Sequence, residues 1–175
     1  MTSQSGGALR APETLTLEHD VSGFNCGEKV FDEWLRKRAL ANQKSGASRT
    51  YVLSIGKKVI AYYALAVGAV AHNVAPGRVR RNMPDPVPVM VLARLAIDSQ
   101  HQGLGLGAAL LRDAILRTLQ AGNIAGIRAI LVHAISESAR KFYERFGFHA
   151  APIDPMTLMI TVEEAKQALG DERRF

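Results

Sequence analysis

The stretch "RLAIDSQHQGLGLGAALLRDA", Arg94 to Ala114, decides how this sequence reads. An apolar strand pattern runs into a short polar segment, then into glycine at every second position, then into a helical pattern with Leu106, Leu110 and Ala114 on one side. A helix N-terminus leaves backbone N–H groups without partners and carries partial positive charge, so an anion docks there when the backbone is bare. Gly103, Gly105 and Gly107 supply that bareness and point to a phosphate-bearing ligand. Two common nucleotide loops do not fit. A Rossmann fingerprint follows an early strand and needs an acidic residue about 20 residues on, whereas this one sits past the middle and "IRAILVHAI" (Ile127 to Ile135) ends without a carboxylate. A P-loop closes on GK and then Ser or Thr, and "GAAL" has neither.

Outward from that stretch, the pattern gives a strand over Thr14 to Glu18, one long helix over Glu28 to Gly46, and a hairpin of Arg49–Ile55 with Lys58–Val70 turning at Gly56. A proline-rich loop from Pro76 to Pro88 follows. Val87 to Asp98 is apolar on both faces and reads as a central strand. A helix over Gly103 to Gln120 comes next, with Leu119 as a further inward position, and then a strand over Ile127 to Ile135. Ser136 caps a helix that Gly147 ends, and Met156 to Leu169 holds a last strand and a terminal helix. Antiparallel hairpins before crossover units make a mixed α/β domain. Residues 1–12 read as a flexible lead-in and 13–175 as a single domain.

With 175 residues and 47% hydrophobic content the chain can bury a core of its own. Its longest apolar run, Val59 to Ala71, is too short to span a bilayer as a helix, no secretory signal opens the sequence, and the cytoplasm is the expected compartment. One cysteine, Cys26, excludes an internal disulfide framework, and the histidines are scattered without metal-ligand spacing, so no metal is expected. His72 and His133 carry no assigned role. The net charge of +6 favours a polyanionic partner. Arg36 and Lys37 lie on the first helix, and Arg78, Arg80 and Arg81 in the proline-rich loop "APGRVRRNMPDPVP".

The residues also carry a family resemblance. "RLAID" followed by Gln102-x-x-Gly105-x-Gly107 resembles the acetyl-coenzyme A signature of the GNAT superfamily of N-acetyltransferases, and "SESARKFYERFGF" (Ser136 to Phe148) resembles that family's later helix. The resemblance implies a GNAT fold, a mixed sheet of six to seven strands splayed between the fourth and fifth and flanked by helices. It implies acetyl-coenzyme A as cosubstrate, with Leu95, Ala96 and Ile97 offering strand backbone to the pantetheine. Gln102, Gly103, Leu104, Gly105, Leu106, Gly107 and Ala108 would hold the pyrophosphate, and Ser138 and Phe142 the far side of the pantetheine. Tyr143 would be the general acid, because a phenol with a pKa of about 10 is protonated at neutral pH and can donate to a departing thiolate. No carboxylate interrupts the fourth strand to serve as a base, and Asp98 comes only at its end. This favours an α-amine, with a pKa of about 7.7–8, as acceptor over a lysine.

The first half, "FNCGEKVFDEWLRKRALANQKSGASRTYVL" (Phe24 to Leu53), resembles TacT- and AtaT-type toxins, and the likeness runs from Leu15 to Ile160. It implies acetylation of aminoacyl-tRNA, a block of translation, a homodimer, a ribbon-helix-helix antitoxin and operator DNA reached through that antitoxin. Arg36, Lys37, Arg78, Arg80 and Arg81 then become tRNA contacts, with Arg94 near the active site. Two alternatives stand beside this one: a GNAT enzyme for a small amine or a protein N-terminus, and a DNA-binding co-repressor working with the antitoxin. Cys26 reads as a packed loop residue, and Trp34 as helix packing.

Overall fold

The computed structural model describes residues 8–171 and Phe175. Seven strands form one sheet in the order β1-β2-β3-β4-β5-β7-β6. They are β1 (Glu13–Thr14), β2 (Arg49–Ile55), β3 (Lys58–Val70), β4 (Val87–Ile97), β5 (Ala129–His133), β6 (His149–Ala150) and β7 (Thr157–Thr161). The helices are α1 (Lys29–Lys37), α2 (Ala39–Ser45), α3 (Gly77–Arg80), α4 (Leu106–Gly122), α5 (Glu137–Arg145) and α6 (Val162–Leu169). β4 and β5 run parallel, with Val89 opposite Ala129 and Leu92 opposite Val132, while β4 itself continues to Ile97. β5, β7 and β6 pair antiparallel.

The chain divides into two compact units. The first holds residues up to 64 and 94–110. Its core is Leu15, Phe24, Leu35, Ala39, Val52, Val59, Tyr62 and Ala96, with Phe31 and Trp34 packed against it. The second holds residues 65–93 and 111–175. Its core gathers Ala75, Val79, Val87, Val89, Ala129, Leu131 and Met159 under α3 and the loop around it.

Several elements differ from the sequence reading for local reasons. The first strand is shorter because Thr16 turns the chain: its N–H donates to His19 Nδ1 at 2.9 Å and its carbonyl accepts from His19 N–H at 3.2 Å. The long first helix divides at Arg38 (φ −121°, ψ −32°), although Arg38 N–H still donates to Trp34 O and Asn42 N–H to Arg38 O. The proline-rich loop contains the single turn α3, whose Val79 is fully buried. In α4 the buried row is Leu110, Leu111, Ala114, Ile115 and Thr118, not Leu119. Thr118 is tolerated because its hydroxyl donates back to Ala114 O at 2.8 Å. Of the expected flexible lead-in, residues 1–7 lie outside the described residues. Leu9 bridges Ile55, and Arg10 N–H donates to Ser54 O, so that part of the segment is tied to β2.

Candidate active site

The end of β4 is locked before the glycines begin. Asp98, 4% exposed, accepts N–H donations from Asn25 and Gln100 at 3.1 Å each, and so caps the 3-10 turn Ser99–His101. Burial pushes the Asp98 carboxyl up, but those two N–H groups, with His101 beside it, outweigh burial and hold it below the usual carboxylate range. A carboxylate held this way braces a loop and is a poor proton acceptor. Gln102 continues the bracing, since its Nε2 donates to Cys26 O at 3.1 Å and Ile97 O at 2.9 Å. Ser99 N–H and Oγ both donate to Asn25 O. The "FNCG" loop is thus the buttress of the glycine segment.

Gly103 and Gly105 both take φ +79°, and a Cβ at either would meet nothing within 4 Å. This left-handed backbone explains why α4 starts at Leu106 and not at Gly103. The bond from Ala109 N–H to Gly105 O is 3.2 Å long. The N–H groups of Leu106, Gly107 and Ala108 precede it and have no acceptor one turn back. Open space and bare backbone at the start of a 17-residue helix suit an anion. Of the residues expected to hold the pyrophosphate, Gln102 has its carboxamide committed to bracing.

Also in the first unit, the half-buried Arg94 guanidinium lies 4.3 Å over the Trp34 ring, and its Nε is buried without a hydrogen-bond partner. Trp34 in turn stacks on Tyr62 at 6.0 Å. Arg36 donates to Phe24 O at 2.9 Å, while Lys37 is exposed. The Cys26 thiol is pushed up to about 11, chiefly by burial and then by Asp32, so it is not a ready nucleophile.

In the second unit, Ser136 caps α5 by accepting Ala139 N–H at 3.1 Å, as its sequence position suggests. Ser138 is exposed one residue inside the helix, and Phe142 is half-buried. Tyr143 is 7% exposed, with its ring edge-on to Phe142 at 5.2 Å and to Phe148 at 5.4 Å. Burial pushes the Tyr143 phenol up, which keeps its proton on at neutral pH.

The arginine loop is better ordered than its composition suggests. Arg78 Nη1 donates to His149 Nε2 and Glu164 Oε2, both at 2.9 Å, and Arg80 donates to His72 O at 3.2 Å. Arg128, which the sequence reading overlooked, donates to Val79 O and Arg78 O and closes the end of α3. His72 Nε2 lies within 2.9 Å of Met83 O and 2.8 Å of Pro84 O, so this histidine is a loop clasp. Arg81 is exposed. Among the described residues, no group of His, Cys, Asp and Glu is arranged to hold a metal ion. None of the described helices is long and apolar enough to cross a membrane.

The family model of the acetyltransferase (GNAT) domain matches residues 46–150, a span that holds both the glycine segment and Tyr143. This chain is a GNAT acetyltransferase. A "tRNA-acetylating toxin" of Mycobacterium tuberculosis (strain ATCC 25618 / H37Rv) is 53% identical to this GNAT enzyme over 161 residues, covering 92% of this chain and 97% of the relative. Among solved structures, a tyrosine-to-phenylalanine variant of KacT superposes with a TM-score of 0.84 at 25% identity, covering 91% of this chain and 98% of KacT. AtaT in complex with acetyl-methionyl-tRNAfMet superposes with a TM-score of 0.83 at 26% identity and the same coverage.

Proposed function

We propose that this GNAT enzyme is the toxin of a toxin–antitoxin pair and transfers an acetyl group from acetyl-coenzyme A to the α-amino group of an aminoacyl-tRNA, which blocks translation. The observation that carries this reading is the 53% identity with a tRNA-acetylating toxin across nearly the full length of both chains. A structural relative holds acetyl-coenzyme A, and another holds an acetylated tRNA.

Acetyl-coenzyme A supplies the activated acetyl group. The N–H groups of Leu106, Gly107 and Ala108 would bind its pyrophosphate, and the bare Gly103 and Gly105 let it approach the backbone. Leu95, Ala96 and Ile97 would align the pantetheine as an added strand, with Ser138 and Phe142 also along it. Tyr143, kept protonated by burial, donates its proton to the departing sulfur. Lys37 and Arg81, both exposed, are the cations most readily given to tRNA phosphates. Arg36, Arg78 and Arg80 would add to them by exchanging an internal acceptor for a phosphate.

The antitoxin is a ribbon-helix-helix protein that brings the pair to operator DNA, and the enzyme works as a homodimer in the cytoplasm. In a cell-free translation reaction, added enzyme stops synthesis only when acetyl-coenzyme A is present. Unimpaired synthesis in the presence of both overturns the reading.

A further inference from the structure

β5 ends at His133, and four residues later the same connection becomes α5, the helix that carries Tyr143. His133 and the start of α5 therefore leave the sheet at the carboxyl end of a strand parallel to its neighbour, the edge where open α/β sheets bind their ligands. The His133 side chain is exposed, yet one of its nitrogens is fixed. Its Nδ1 lies 2.9 Å from Thr157 Oγ1 on the paired position of β7. Thr157 Oγ1 donates onward to Asp154 Oδ2 at 2.6 Å, and Asp154 also accepts Met156 N–H at 2.9 Å.

This chain of bonds sets the tautomer. A threonine hydroxyl has one proton, and Thr157 gives it to Asp154, a carboxylate that can only accept. The Asp154 carboxyl is held below its usual range, first by that hydroxyl and then by the Met156 N–H, which keeps it ionised. Thr157 therefore accepts from His133, so the Nδ1 carries the proton and the exposed Nε2 carries the lone pair. Asp154 is the charged group that faces the imidazole, through Thr157.

We propose that His133 is the general base of the acetyl transfer, with Thr157 and Asp154 as positioning residues; the proposal rests on the α-amine of an aminoacyl-tRNA being the acceptor. In the step, the amine nitrogen forms a bond to the acetyl carbonyl carbon and the carbon–sulfur bond breaks. The nitrogen's proton goes to His133 Nε2, and Tyr143 gives its own proton to the sulfur. Water returns both side chains to their starting states. The missing carboxylate on β4 is then replaced by an imidazole at the end of β5.

The test measures the rate of labelling of a mixed aminoacyl-tRNA pool with radioactive acetyl-coenzyme A, from about pH 6 to about pH 9, a range that spans the titration of an α-amine. His133→Ala is expected to lower the rate about 10²-fold, to lose one ionisation from the acid limb of the profile, and to regain rate with added imidazole. Asp154→Asn is expected to cause a smaller loss, partly restored in Asp154→Glu, because an amide can also donate to Thr157 and no longer fixes the His133 tautomer. His133→Gln repeats the test if the alanine variant melts early. The proposal is overturned if the His133 variants label at the wild-type rate. It is equally overturned if they are slow with an unchanged profile and no imidazole rescue, which is the signature of a structural role. If the wild-type protein itself labels no aminoacyl-tRNA, the functional reading fails and the proposal with it, an outcome distinct from failure in the variants alone.

Discussion

Alanine at position 105 separates the two jobs that its glycine performs. Gly105 sits at φ +79° with open space where a Cβ would stand, so the substitution meets no clash and costs only backbone strain. Left-handed geometry costs an L-residue about 1–2 kcal/mol, which in a chain of this size lowers Tm by about 2–8 °C. Gly56, at φ +61° in the turn between β2 and β3, also has open space and should show a similar loss, so Gly56→Ala controls for strain. The two variants part company when coenzyme A is added. At a concentration of about 100 Kd it stabilises a binding-competent protein by about 2.7 kcal/mol, a rise of about 5–11 °C. Gly56→Ala should keep that rise. In Gly105→Ala the new methyl group projects from the cradle, and tenfold weaker binding leaves about 1.4 kcal/mol at the same concentration, about half the shift. Thermal melts with and without coenzyme A measure both quantities. A full coenzyme A shift in Gly105→Ala would refute the cradle.

Other expectations follow from the same geometry. Tyr143→Phe should fold and bind coenzyme A but lower kcat by about 10²–10⁴-fold, measured with saturating substrates. Because burial raises the Tyr143 phenol, the folded protein holds this proton where the unfolded chain, near pH 10, releases it. Its ionisation therefore costs stability only above about pH 10 and leaves melts near neutrality unchanged. Asp98→Ala leaves the N–H groups of Asn25 and Gln100 without their acceptor, at about 1–3 kcal/mol each if they stay dry, and should lower Tm and loosen the glycine segment. With its carboxyl lowered, Asp98 contributes stability that is present above about pH 4 and lost as pH falls through its folded value, which acid titration of the wild type against the variant will show. Replacing Lys37 and Arg81 by alanine should weaken tRNA binding and flatten its dependence on salt, read from binding isotherms at two ionic strengths.

What the sequence made legible was local. Glycine at 103 and 105, Ser136 before α5 and Gly147 after it each act through the backbone within a few residues, so their types reveal their roles. The β4 and β5 strands were legible because their burial demands long apolar runs. The break at Arg38 left no mark, since Leu35 and Ala39 keep helical spacing across it. The short helix α3 was hidden among prolines that read as loop. Ties between distant residues were illegible altogether: Asn25 with Asp98, Gln102 with Cys26, Arg78 with Glu164, and His133 with Thr157 each join segments that only the fold brings together. That is why the "FNCG" loop read as a family marker and proved to be a brace of the glycine segment. It is also why the tie of His133 to Thr157 stayed hidden until the register of β5 on β7 placed the two opposite each other.

The most direct test is to incubate the purified protein briefly with acetyl-labelled coenzyme A and a complete set of charged tRNAs, and then to locate the label by mass analysis. The account predicts an acetyl group on the α-amine of one or more aminoacyl-tRNAs. Label confined to free amines or protein N-termini, with every aminoacyl-tRNA unmodified, would contradict it.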